Sequence, residues 1–153
     1  MIDDLLEIAT SLAERESGKP KQASLRRAVS TAYYALFNAL AAMCADELVG
    51  WSRPWEAFTP IYRSLEHTVA RNLFNRARNQ QFYGPEVASF AAVFLELQEA
   101  REEADYNPEP FRYRRGDVRR LVGDARIAIQ TLRSLEPHTK LLLASHLMQR
   151  RKR

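Results

Sequence analysis

Residues 28–44 read AVSTAYYALFNALAAMC, and 14 of these 17 positions are apolar. A helix lying on a protein surface carries one apolar stripe; this run is apolar nearly all round, so it must be covered on more than one side. No proline or glycine interrupts it, and the helix is expected from about Ser24, placed to act as N-cap, to Leu48 before Gly50. In a small bundle such cover usually comes from a second subunit. A homodimer with this helix near the interface is therefore expected.

Outward from this helix, prolines and glycines separate further helical segments, and no stretch reads as a strand. Residues 2–16 place Ile2, Leu5, Leu6, Ala9, Leu12 and Ala13 at helical spacing, with Asp3 and Asp4 favourably in the first turn. Pro54 opens a segment running to about Ala77, in which Pro60 either kinks the helix or delays its start. Gly84 and Pro85 start another, with Val87, Phe90, Ala91, Phe94 and Leu97 on one face, and Pro108 stops it. Asp117 is set to cap the helix carrying Val118, Leu121, Val122, Ala125, Ile129 and Leu132. Pro137 begins a short final helix ending in a basic tail. The pattern predicts one all-α domain over residues 1–153: an antiparallel four-helix up-and-down bundle with one or two extra short helices.

The charge bounds the function classes. The net +4 resides in Arg150, Arg151, Lys152 and Arg153, so residues 1–149 sum to zero. Within that neutral body, residues 96–109 hold six acids and one base, whereas residues 112–120 hold five arginines and one acid. The lone Cys44 lies in an apolar run and reads as a small buried hydrophobe, which suits a reducing compartment. The acidic N-terminus lacks the basic start of a secretory signal, and no apolar stretch was expected to reach the roughly 20 residues of a membrane span. A cytoplasmic protein without membrane partners is the expectation. His67, His138 and His146 make no Glu-x-x-His pair, and neither a phosphate loop nor a nucleophile elbow is present, so no metal or cofactor is expected.

Two polar features stand out. On the apolar helix, Arg27, Thr31, Tyr34 and Asn38 fall at i, i+4, i+7 and i+11 and so lie along one line, facing either water or a site. In AREEADYNPE (residues 100–109), Arg101 follows Phe94 by seven residues and Val87 by fourteen, which puts its guanidinium on the core-facing side. A buried charge needs a partner. Two readings stay open: an intrahelical pair with Asp105, or a phosphate ligand beside Asp105 and Tyr106. Arg112, Arg114 and Arg115 would flank the same end of the bundle.

SLRRAVSTAYYALFNAL (residues 24–40) resembles the second-helix signature of the small prokaryotic HEPN proteins, roughly Ser-Arg-Ala-Tyr-Tyr-Ala followed by Phe-His. AREEADYNPE is similar to the Arg-x-x-Ala-Asp-Tyr-Asn/Asp-Pro signature of the same group, and HTKLLLASHLMQRRKR resembles the ending of some members. The resemblance implies a dimeric helical bundle connected with RNA. Many such proteins are metal-independent endoribonucleases of toxin–antitoxin and defence systems, using an Arg-x4-6-His motif from both subunits; several pair with a nucleotidyltransferase, and others have lost catalysis.

This chain departs from the pattern where the chemistry is most demanding. Metal-free RNA cleavage needs a group to take the 2′-hydroxyl proton, one to protonate the leaving oxygen, and positive charge on the phosphorane. Arg101 supplies the last, but Tyr106 stands where the histidine would, Asn38 replaces the second-helix histidine, and Thr31 replaces an arginine. A tyrosine titrating near about 10 is a poor base beside a histidine near about 6.5. The expectation is an RNA- or nucleotide-binding homodimer with at most slow ribonuclease activity. Its site would hold Arg101, Asp105 and Tyr106, with Arg27, Tyr34 and Asn38 nearby and Arg112, Arg114 and Arg115 at the rim. The competing expectation is a non-catalytic helical module binding a protein partner such as a nucleotidyltransferase.

Overall fold

The computed structural model describes residues 1–50, 53–80 and 82–149, and the basic run at 150–153 lies outside the described residues. It is all-helical there: α1 (Ile2–Ala13), α2 (Gln22–Val49), α3 (Trp55–Ser64), α4 (His67–Gln80), α5 (Pro85–Tyr106), α6 (Arg115–Arg133) and α7 (Pro137–Leu147). The helices form a bundle with α2 as its central member.

The apolar run of α2 is covered within one chain. α1, α3, α5, α6 and α7 all pack on it, and Ala28, Ala32, Tyr33, Leu36, Leu40 and Cys44 are fully buried. The composition that suggested a second subunit is thus met by five helices of the same molecule. One 18-residue window of α2 does reach a membrane span in length and mean hydropathy (1.3), beyond what the residue pattern suggested, yet 72% of it is buried against its neighbours. Burial also pushes the Cys44 thiol up to about 12, so it stays protonated and packs as a hydrophobe.

The helix ends depart from the expected caps in instructive ways. α2 starts at Gln22 after Lys21, and Ser24, two residues inside, donates its hydroxyl to Glu16 Oε1 at 2.7 Å. α6 starts at Arg115; Asp117 is its third residue, and its carboxylate accepts the backbone N–H of Arg114 at 2.9 Å. Gly84, at φ +95°, makes a turn that side chains rarely tolerate before Pro85 starts α5. At the other end, Asn107 is extended ahead of Pro108, as a residue preceding proline should be.

The segment opened by Pro54 is two helices. Pro60 sits inside α3 and lacks the N–H that would continue the ladder, but the break falls at Leu65, which is extended (φ −67°, ψ 125°). His67 consequently becomes the first residue of a new helix. α4 packs on α5, where Phe74, Phe90 and Phe94 interlock with centroids 4.9–6.3 Å apart. This places His67 against the middle of α2.

Candidate functional site

Arg101 lies in the last turns of α5, only 7% exposed. Helical phase carries its guanidinium onto the aromatic rings of α2. Its central carbon stands 4.9 Å from the Tyr33 centroid, 5.6 Å from Tyr34 and 5.9 Å from Tyr106, distances at which the ring faces attract a cation. The nearest carboxylate, Asp105, is 3.9 Å from Nη1, at the outer limit of an ion pair, and also accepts the Ser30 hydroxyl at 3.3 Å. Nε of Arg101 is buried and has no hydrogen-bond partner among the described residues. The cation is therefore held by rings and only loosely by charge.

Beside it stands a residue absent from the sequence-based site, His67. Its ring stacks on Phe37 with centroids 3.9 Å apart and lies 5.6 Å from Tyr33 and 6.2 Å from Tyr34. The Tyr33 hydroxyl meets its Nδ1 at 2.7 Å. Burial pushes the Tyr33 hydroxyl up to about 12, so it keeps its proton; where that hydroxyl donates to Nδ1, the neutral imidazole carries its own proton on Nε2. Burial and the nearby Arg101 charge hold His67 below the ordinary histidine value. Gln98, one turn before Arg101, holds its amide 3.5 Å from the His67 carbonyl, and its own side-chain oxygen is buried without a partner.

Tyr34 and Tyr106 are the open side of this cluster, 37% and 74% exposed. Tyr106 is a ring laid over the guanidinium from outside. Of the polar line on α2, Arg27 is exposed and Thr31 and Asn38 are half-buried; only Tyr34 touches Arg101.

The arginines expected at the rim are largely engaged elsewhere. Arg115 donates to the carbonyls of Ala13 and Glu16 at 3.0 and 2.6 Å, closing the end of α1. Arg112 binds Glu103 at 2.8 Å and Glu99 at 3.5 Å and donates to the Tyr113 hydroxyl. Arg114 is exposed beside the start of α6. The arginine that builds this end is Arg26, adjacent to the Arg27 that the sequence singled out. Its guanidinium donates to the carbonyls of Glu103, Ala104, Asn107 and Glu109 at 2.6–3.1 Å and lies over Phe111. It thereby fixes the C-terminal turn of α5 that carries Arg101, Asp105 and Tyr106.

Among the described residues, no group of three or more His, Cys, Asp or Glu side chains is arranged to hold a metal ion. What the cluster offers is a buried cation with an unused donor, a histidine with an unbonded nitrogen, and an aromatic opening. No family model, curated protein or solved structure matches the chain.

Proposed function

We propose that this protein is a HEPN-like binder of single-stranded RNA or nucleotides whose phosphate is received by Arg101. The observation that supports it is the state of that guanidinium: buried, with Nε unpaired and its nearest carboxylate 3.9 Å away. A buried charge in that condition is costly, and a phosphate oxygen would supply the missing acceptor. The exposed Tyr106 ring turns aside to admit the ligand, and Tyr34 and Tyr106 then serve as stacking surfaces for bases. The reading includes the four-helix up-and-down core of that group and a homodimer. Since the apolar faces of α2 are already covered, the two copies meet through its polar edge at Tyr34 and Asn38, bringing both Arg101 side chains to one cleft. Tyr106 stands where a histidine would transfer the proton, so any metal-independent cleavage is slow.

The test is fluorescence anisotropy of a labelled single-stranded RNA at low salt, wild type against Arg101→Ala. Affinity should fall at least about tenfold in the variant, the scale of one lost charge-assisted contact, and wild-type binding should weaken as salt rises. A wild type that binds no single-stranded RNA at low salt would overturn the reading. Cleavage after metal chelation that is equally fast in both proteins would remove Arg101 from the chemistry.

A further inference from the structure

Arg101 and His67 come from different helices, yet both lie against the same two rings of α2. The guanidinium carbon is 4.9 Å from the Tyr33 centroid and the imidazole centre 5.6 Å from it, so the two groups are no farther apart than those lengths laid end to end. Tyr34 gives a second such constraint, at 5.6 and 6.2 Å. That bound admits one phosphodiester held by both side chains.

Three features make the surroundings of the two side chains suited to negative charge. Arg101 Nε is buried with no acceptor among the described residues. His67 Nε2 has no hydrogen-bond partner among them either, since its one ring contact is Nδ1 to Tyr33. His67 is also the first residue of the 14-residue helix α4, whose first turn holds no acid, so the positive end of that helix lies at the imidazole.

We infer that His67 is the second ligand of the anion that Arg101 receives, with imidazole and guanidinium donating to one phosphodiester between them; this rests on the phosphate-binding reading above. Binding and protonation are then linked. A negative charge placed beside the ring makes it easier to protonate, so the protein binds the anion more tightly as pH falls and His67 gains its second proton. In the empty site the imidazolium is disfavoured by burial and by Arg101; the ligand reverses the second effect by screening the guanidinium.

The surroundings of His67 add no competing switch. From α2 it meets Tyr33 and Tyr34, the first held protonated by burial. From α5 come Arg101, with Asp105 beside it, the neutral Gln98, and Glu102, which pairs with Arg71 of α4. Glu66 adjoins it in the chain and is exposed. From α7, which also packs on α4, His146 is committed to the Tyr83 hydroxyl at 2.6 Å.

The experiment uses oligouridylate, whose phosphodiester charge and bases do not titrate between pH 5 and 8. Its affinity for wild type, His67→Gln and Arg101→Lys is measured across that range, and the His67 imidazole is followed by NMR with and without the ligand. Wild-type affinity should rise about tenfold toward pH 5, the change that a one-unit rise of the imidazole pKa on binding produces. His67→Gln should bind with a flat profile, and the NMR titration midpoint should move upward on saturation. If wild type binds, Arg101→Lys weakens it, and His67→Gln keeps the same pH profile, His67 is not a ligand and the phosphate-binding reading stands. If wild type fails to bind at any pH, both fall together.

Discussion

Two arginines at one end of the bundle are solved in opposite ways. Arg26 spends its donors on four carbonyls at the C-terminal end of α5, at 2.6–3.1 Å. Arg101, on that same turn, is more deeply placed and leaves Nε with no acceptor among the described residues, its nearest carboxylate at 3.9 Å. A helix C-terminus carries partial negative charge and unpaired carbonyls, so a guanidinium there is welcome and becomes part of the frame. A guanidinium held chiefly by ring faces keeps donors in reserve. The first kind of arginine stabilises; the second leaves a buried donor unpaired among the described residues.

The contrast predicts a large stability difference between the two. Arg26→Ala frees four carbonyls at once and unpins the residues 103–109 that present Asp105 and Tyr106. Charge-assisted hydrogen bonds of this kind are worth about 1.5–3 kcal/mol each and do not add fully, so urea denaturation should show a loss of about 2–4 kcal/mol. Arg26→Lys should recover little of it, because a single ammonium cannot span the carbonyls that the planar fork reaches. A loss under about 0.5 kcal/mol would mean that water replaces the clamp and that the two arginines do not differ in kind.

Arg101→Met is the sharper probe. The thioether chain fills much of the same volume against Tyr33 and Tyr34 while removing the buried orphan donor. Stability should change by no more than about 1 kcal/mol in either direction, as when buried charges give way to packed apolar groups. RNA binding should fall as far as in Arg101→Ala. If Asp105 were a true structural partner, breaking the pair would instead cost about 3 kcal/mol or more, and the intrahelical reading of Arg101 would be the correct one.

How much of this could be read from the residues follows from the range of each interaction. The all-helical fold and the deep placement of Arg101 were legible because both depend on spacing within one helix. The cover of α2 was legible as a need but not in its source, since five helices contributed by distant segments cannot be seen in the run they bury. Arg27 was singled out over Arg26 because it falls in line with Thr31, Tyr34 and Asn38; what decides between the neighbours is the end of α5, 77 residues or more away. His67 was hidden for a similar reason. Its placement needs the break at Leu65 that makes it the first residue of a helix, and Pro60, the visible signal, lies five residues upstream of that break. A proline inside a helix followed within two turns by Leu-Glu-His is the only local cue.

The smallest effect concerns stability without ligand, and its sign follows from the surroundings of His67. Burial and Arg101 lower the pKa of His67 in the folded chain, whereas in the unfolded chain it titrates at the ordinary value, near 6.5. Between those two values the unfolded state binds more protons, so stability is full above about 6.5 and is lost as pH falls toward the folded value, with no further loss below it. Carboxylates contribute mainly at lower pH, which leaves the interval from about 6.5 to 5 to the histidines. Denaturation midpoints of His67→Gln, measured from pH 7.5 to 5, should therefore decline less than those of wild type. Oligouridylate at saturation should also flatten the wild-type decline, because an anion between Arg101 and His67 offsets the part of the penalty on the imidazolium that comes from the guanidinium. A His67→Gln curve parallel to wild type in that interval would show that the ring titrates as it does in the unfolded chain.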